Sequence, residues 1–338
     1  MRAEAGPLQG GASESSTGAA QFATARFPPT VSVVMPTFNR LRFLRPAIES
    51  VYAQTFTDWE LIIADDGSDP ETREYLRSLE NHPRVRVVWL PHCGRPSIVR
   101  NAALLKAIGE YVAFLDSDDL WAPRKLERQI ETLRARVNCR WSYTAFLQLD
   151  GCGNPLPEET QRRWVPHEGE IFEQVVTCRA SIRTPSVLAT RQLIVQAGGF
   201  DEEMLSAEDY DLWLRLALYS EVAIVDEPLV YVRLHDENHS REWQSAFVGR
   251  DRSLSRRQQL VDSARRSLLR EERMQNALQL AANHAERGAR GRMLRALWGS
   301  LAYSWPYPRW WLNGLRTVLR SHLPRRVREF YRKHLRGA

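Results

Sequence analysis

At 338 residues the chain can hold one large domain with an appendage, or two domains. A hydrophobic content of 43% with 26% charged residues excludes a collagen-like or wholly disordered protein. The four cysteines (Cys93, Cys139, Cys152, Cys178) form no CxxC pair or metal-ligand spacing, which suits structural thiols in a reducing compartment. The net charge of +6 is uneven: beyond residue 240 there are 22 Lys and Arg against 7 Asp and Glu, so the first 240 residues are net acidic.

Residues 1–28 are rich in Gly, Ala, Ser and Thr without a continuous apolar run, and are expected to form a disordered leader rather than a signal peptide. No stretch approaches the roughly 18 apolar residues of a spanning helix, which places the expected location on the cytoplasmic side. Strand and helix patterns then alternate. Val31–Met35 reads as a strand, Leu41–Ala53 as a helix, Glu60–Ala64 as a strand and Glu71–Leu79 as a helix. Val85–Trp89, Ser97–Ile108 and Tyr111–Leu115 continue as strand, helix, strand, and Pro123 opens a helix to about Arg136. This βαβα rhythm predicts a largely parallel sheet covered by helices. Past Trp141 the pattern loosens, and 148–170 carries the Gly, Pro and polar clusters of a long surface loop. Ser186–Thr190 reads as a strand and Arg191–Ala197 as a helix closed by Gly198-Gly199. A helix from near Asp209 and two short strands, Val222–Val225 and Leu229–Val232, complete an expected body over residues 29–240. Residues 241–338 read as a basic, mainly helical extension.

Three segments that follow predicted strands carry the chemistry. Tyr111-Val-Ala-Phe-Leu ends in Asp116, Asp118 and Asp119. Carboxylates this close repel one another unless a cation or basic partner offsets them. Their hard oxygens favour Mg2+ or Mn2+, an ion that typically holds nucleotide phosphates. Met35-Pro36-Thr37-Phe38-Asn39-Arg40 and Ala64-Asp65-Asp66-Gly67-Ser68 follow two other strands. Each alone reads equally well as a turn. All three at strand C-termini, where open α/β sheets place their ligands, point to one site.

With Val99-Arg100-Asn101-Ala102-Ala103, Gly198-Gly199-Phe200-Asp201-Glu202 and Glu208-Asp209-Tyr210-Asp211-Leu212-Trp213, these segments form an ordered set over residues 30–240. The set resembles the family 2 glycosyltransferases, nucleotide-sugar-dependent enzymes of the GT-A fold. The fold so implied is α/β and Rossmann-like, a mostly parallel central sheet with helices on both faces, here with a C-terminal helical extension. The resemblance implies that Pro36, Thr37, Asn39, Arg40 and Asp65 hold the nucleoside. Asp65 would accept from the imide N–H of a uracil-like ring, with Asp66 as the alternative. Arg100 would approach the nucleotide, with a helix-surface arginine as the alternative. Asp116-Ser117-Asp118 matches the DxD motif, with Asp118 on the metal and Asp116 toward the ribose or a metal-bound water. Asp209 would be the general base, where a helix cap is the plain alternative, and Glu208 would orient the acceptor or cap that helix. Arg233, His235 and His239 follow the last strand; one would close over the diphosphate or join the metal shell, and His235 is the named metal candidate.

The implied reaction moves a sugar, with inversion, from a nucleotide-diphosphate donor to a hydroxyl of a glycan or lipid-linked acceptor, as in cell-surface polysaccharide synthesis. UDP is the favoured nucleotide, and Mn2+ or Mg2+ would offset charge on the departing diphosphate. In the tail, Leu323, Val327, Phe330, Tyr331 and Leu335 share one helical face among arginines, behind an aromatic cluster at Trp305, Tyr307, Trp310 and Trp311. That pattern suits peripheral contact with an anionic membrane, expected on the cytoplasmic face; no nucleic-acid partner is expected. A nucleotidyltransferase would need a Gly-rich loop after the first strand, and Pro36–Arg40 has no Gly. A non-catalytic scaffold would have no use for Asp65, Asp118 and Asp209 together.

Overall fold

A computed structural model describes residues 28–162, 164–235 and 243–321. His239 and the 323–338 stripe lie outside them. The first strand, β1 (Val31–Thr37), buries Val31, Val33, Val34 and Met35 completely, as an unbroken branched run demands of a strand covered on both faces. It lies between β2 (Trp59–Asp65) and β4 (Tyr111–Phe114), parallel to both, with β3 (Val85–Trp89) parallel outside β2. Helices α1 (Leu41–Tyr52), α2 (Pro70–Leu79) and α3 (Pro96–Leu104) make the crossovers. α3 stops four residues short of the expected Ile108. The chain must leave the helix before Gly109, where a Cβ would stand 2.7 Å from the Ser32 backbone nitrogen.

The second half of the sheet departs from the parallel expectation. β5 (Leu120–Trp121), β6 (Cys139–Leu149), β7 (Leu188–Thr190) and β8 (Glu221–Arg233) complete eight strands in the order β3-β2-β1-β4-β7-β6-β8-β5. β7 runs antiparallel to β4 and to β6, β8 parallel to β6, and β5 antiparallel to β8. Where two short strands were expected, β8 is continuous. The register jumps from Thr144↔Val225 to Ala145↔Pro228 and then to Phe146↔Val230, so Asp226, Glu227 and Leu229 are absorbed as an irregularity around Pro228.

The sheet separates two apolar layers. On one face Val34, Ile62 and Phe114 meet Val99 of α3, Val175 of α5 (Phe172–Val176), Leu193 of α6 (Arg191–Ala197) and Leu212 of α7 (Glu208–Tyr219). On the other, Val33, Met35 and Ile63 meet Leu44 of α1 and Leu126 of α4 (Lys125–Ala135). The basic C-terminal chain forms α8 (Trp243–Arg257), α9 (Ser263–Glu286), α10 (Arg290–Gly299), α11 (Leu301–Ser304) and α12 (Pro308–Ser321). Leu254 of α8 and Leu269 of α9 enter the first apolar layer. All the strand ends that carry candidate chemistry therefore open toward one edge of a rigid sheet, with α7 beside them.

Candidate active site

At the end of β1, Thr37 stands in register with Asp65 at the end of β2. The chain then passes through Asn39 and Arg40, both left-handed at φ 56° and 61°. Such a conformation costs a non-glycine residue energy and needs local bonds to hold it. Asn39 N–H donates to Ser68 Oγ at 2.7 Å, and Asn39 Oδ1 accepts the Asp69 N–H at 2.8 Å. The turn brings Arg40 Nη1 to 3.0 Å from Asp118 Oδ2. Pro36 is half-buried in β1 and Thr37 is buried, with the Thr37 hydroxyl lacking a protein partner.

The two carboxylates that sequence left unresolved differ sharply. Asp66 accepts the Cys93 N–H at 2.8 Å on one oxygen and the Gly94 N–H at 2.9 Å on the other, with His92 Nδ1 3.1 Å away. Its carboxylate thus ties down the loop before α3. Gly67, at φ +75°, lets this loop approach, since a Cβ there would lie 2.8 Å from the His92 nitrogen. Asp65 is fully buried and holds only the longer bonds from Ser68 N–H, 3.2 and 3.3 Å, with Arg73 Nε at 4.0 Å. Asp65 is the carboxylate with accepting capacity to spare.

After β4 the chain turns through Asp116, Ser117, Asp118 and Asp119, and the Asp119 N–H returns to the Asp116 carbonyl at 3.1 Å. Ser117 is buried within the turn. Asp119 accepts the Arg233 N–H at 2.8 Å, locking the turn to β8. Burial and the neighbouring Asp118 and Asp116 charges push its pKa well above the usual carboxylate range. Asp118 Oδ2 faces both Arg40 and His235 Nε2, each at 3.0 Å, and the His235 ring stacks on Phe43 at 4.5 Å. Asp116 is gripped by Arg100 Nη2 at 2.7 Å, while Nη1 of the same guanidinium holds Glu208 at 2.8 Å. For Arg100, burial alone would lower the pKa, but Asp116 and Glu208 outweigh it and raise it. The next residue, Asn101, clamps the Phe200 backbone from both sides at 2.8 and 3.0 Å, fixing the Gly198-Gly199 loop.

Ala207, left-handed at φ 57°, launches α7. Glu208, Asp209 and Asp211 fill its first turn, where the helix dipole favours negative charge. Asp209 accepts the Thr184 hydroxyl at 3.2 Å and the Tyr210 N–H at 2.7 Å. Burial and the Glu208 carboxylate raise its pKa against the pull of the Tyr210 N–H and Arg100.

One connected network thus joins Arg40, His235 and Asp118 in one group and Asp116, Arg100 and Glu208 in another, both springing from the same turn. Among the described residues no group of three or more His, Cys, Asp or Glu forms a closed metal cage. The donor set still fits Mn2+ or Mg2+. Asp118 supplies the hard carboxylate oxygen these ions favour, with the His235 imidazole 3.0 Å from it, and such ions complete their shell with phosphate and water oxygens. A broad groove of about 760 Å³ runs past Asn39, Arg40 and Arg45 but touches none of the carboxylates above; a smaller cavity of about 130 Å³ contains Asp209. The motifs gave no sign of Thr184 or of the cavity residues Arg162 and Arg183. Their only local signal is Thr184-Pro185, which opens a short 3-10 turn; Trp121 Nε1 pins that turn through the Pro185 carbonyl at 2.8 Å.

Residues 32–160 match the family described as Glycosyl transferase family 2. The chain is 38% identical over 197 residues to the UDP-Glc:alpha-D-GlcNAc-diphosphoundecaprenol beta-1,3-glucosyltransferase WfgD of Escherichia coli, covering 58% of this chain and 73% of that protein. It is 34% identical over 205 residues to an uncharacterized glycosyltransferase of Rickettsia felis, 60% of this chain but 33% of that protein. It therefore spans about one third of the length of that longer relative. Staphylococcus aureus TarS 1–349, solved with UDP-GlcNAc, shares the fold at a TM-score of 0.68 and 18% identity, over 90% of this chain and 92% of that one. The mannosyltransferase PcManGT of Pyrobaculum calidifontis, solved with GDP-Man and Mn2+, shares it at a TM-score of 0.52 and 18% identity, over 89% and 83%.

Proposed function

This chain belongs to glycosyl transferase family 2, and from that premise we propose that it moves a sugar, with inversion, from a UDP-sugar to a hydroxyl of a glycan or lipid-linked acceptor. One observation carries the reading: the Arg100 guanidinium holds Asp116 and Glu208 together. That bridge ties the donor-side turn to the helix bearing Asp209, which supports a reading in which donor and acceptor meet between them.

In this reading Asp65 accepts the imide N–H of the base and the turn at Pro36, Thr37, Asn39 and Arg40 lies along the nucleoside. Asp118 and His235 hold the divalent ion, and Arg40 adds a fixed positive charge beside them. When bound, Mn2+ or Mg2+ supplies charge that offsets the departing diphosphate. Asp209 takes the proton from the acceptor oxygen as that oxygen attacks the anomeric carbon. One base suffices for a single displacement, because a diphosphate leaves without being protonated, unlike the leaving oxygen of a hydrolysed glycoside. WfgD, named for UDP-Glc and a diphosphoundecaprenol acceptor, supports both halves of the proposal. The Mn2+ complex of PcManGT supports the metal.

Peripheral contact with an anionic membrane on its cytoplasmic face belongs to the same reading. No helix among the described residues is long and apolar enough to cross a membrane. Trp298, Trp305, Leu312, Leu315 and Leu319 are nonetheless exposed on the C-terminal helices, and the last three share one face of α12 beside Arg309 and Arg316.

The test is incubation of the purified chain with a panel of UDP-sugars and Mn2+. Slow UDP release from one donor without acceptor is expected. Pyrophosphate release from a nucleoside triphosphate, or no release from any donor, contradicts the proposal.

A further inference from the structure

Arginines near the site usually have an acid. Arg100 has Asp116 and Glu208, Arg215 has Asp211, and Arg250 has Glu272. The cavity of about 130 Å³ beside Asp209 breaks this pattern. Its lining includes Arg162, Ser181, Arg183, Asp209 and Trp213. Arg183 Nε, Ser181 Oγ and Trp213 Nε1 are all buried there without a hydrogen-bond partner. The Arg183 guanidinium rests over the Phe146 ring at 5.1 Å, and Arg162 is a second positive charge on the same wall. Asp209 and Asp119 act on Arg183 through space but form no ion pair with it, and the Asp209 carboxylate is turned to Thr184 and the Tyr210 N–H. Buried donors without partners are costly, and buried charge is ordinarily paired. Two cations and two neutral donors line this small space with a single carboxylate, Asp209, a lining that favours negative charge.

We propose that this cavity receives an anionic group, a phosphate or a carboxylate, carried by the acceptor close to the hydroxyl that Asp209 deprotonates. The proposal rests on the reading of Asp209 as the base, which puts the acceptor here. The donor diphosphate is assigned to the Asp118, His235 and Arg40 side of the turn. A neutral acceptor leaves the arginines and the buried donors unmatched, so the cavity selects against it as well as for its charged counterpart. Arg162 and Arg183 are then specificity-determining residues.

The experiment is calorimetric binding, with UDP and Mn2+ present, of three alkyl hexosides of equal chain length. One has a diphosphate between sugar and chain, one is a hexuronide, and one is uncharged. At least one anionic probe should bind about 10-fold or more tightly than the neutral one, the scale of one charge-assisted bond. Which probe does so separates phosphate from carboxylate. Arg183→Met and Arg162→Met should each shrink that ratio toward one without weakening UDP binding; Arg162, on the exposed side, serves as the variant least prone to misfold. Equal binding of all three probes overturns the proposal, as does a ratio kept by both variants or a loss of UDP affinity in place of the ratio. Asp209→Asn should keep or raise the ratio, because it removes a negative charge from the cavity lining, and should lose transfer. If it transfers normally the base assignment fails, and the binding ratio still decides whether the anion site exists.

Discussion

Asp209 is where opposing influences meet at the level of a single residue. Burial and the Glu208 carboxylate raise its pKa, while the Tyr210 N–H and Arg100 pull it down, and the net direction is upward. A raised base is the better proton acceptor once ionised, but it is lost at a higher pH than an ordinary aspartate. With Asp209 as the proposed base, transfer requires its ionised form, so the rate should fall as pH drops through a midpoint above the usual value of about 3.9. The acid limb of kcat against pH checks this. A profile flat down to about pH 4 would contradict it. The residues legible in sequence were those inside motifs, because a strand end followed by carboxylates has few structural meanings. The choice between Asp65 and Asp66 was not legible: it depends on the backbone N–H groups of Cys93 and Gly94, which come from 27 and 28 residues further along the chain. Arg162 and Arg183 were silent for the same reason, since only the fold brings them to Asp209.

Between elements, the position of α7 depends on a buried ionic staple. Asp211, fully buried, accepts from Arg215 Nε at 2.9 Å, from Arg257 Nη2 at 3.0 Å and from Ser253 Oγ at 2.8 Å, so α8 is bound to the helix that carries Asp209. Asp211→Ala would leave the buried Arg215 guanidinium without an acid and Arg257 with only Asp201 at 3.6 Å, and should destabilise the protein by about 3–5 kcal/mol. Denaturant unfolding measures it, and a loss under about 1 kcal/mol would mean that the staple does little. Sequence conveyed β1 to β4 well because each is an apolar run joined to the next by its own helix. It conveyed β6 poorly, although Trp141 and Tyr143 alternate with Ser142 and Thr144 as a strand should. The partners of β6 are β7 and β8, far along the chain, and nothing local marks such pairing. The irregularity around Pro228 hid the continuity of β8, since Pro and paired acids read as a break.

For the whole molecule, the proposed membrane contact rests on a basic C-terminal region set against an acidic body. Trp298 and Trp305 are 77% and 76% exposed, a large apolar display for helices that also carry Arg290, Arg292, Arg295 and Arg309. Leu315→Asp, and separately removal of residues 323–338, should each weaken binding to phosphatidylglycerol vesicles. Binding should also fall as salt rises. Vesicle affinity equal to that of the unaltered protein in both cases would remove the membrane from the account.

The central claim is that a divalent ion at Asp118 serves the donor while Asp209 serves the acceptor within one cleft. Its most direct measurement is UDP affinity in Mn2+ taken alongside the transfer rate for Asp209→Asn. Unchanged UDP affinity with transfer reduced about 10²-fold or more is expected. Near-normal transfer, or loss of UDP binding together with transfer, would contradict the claim.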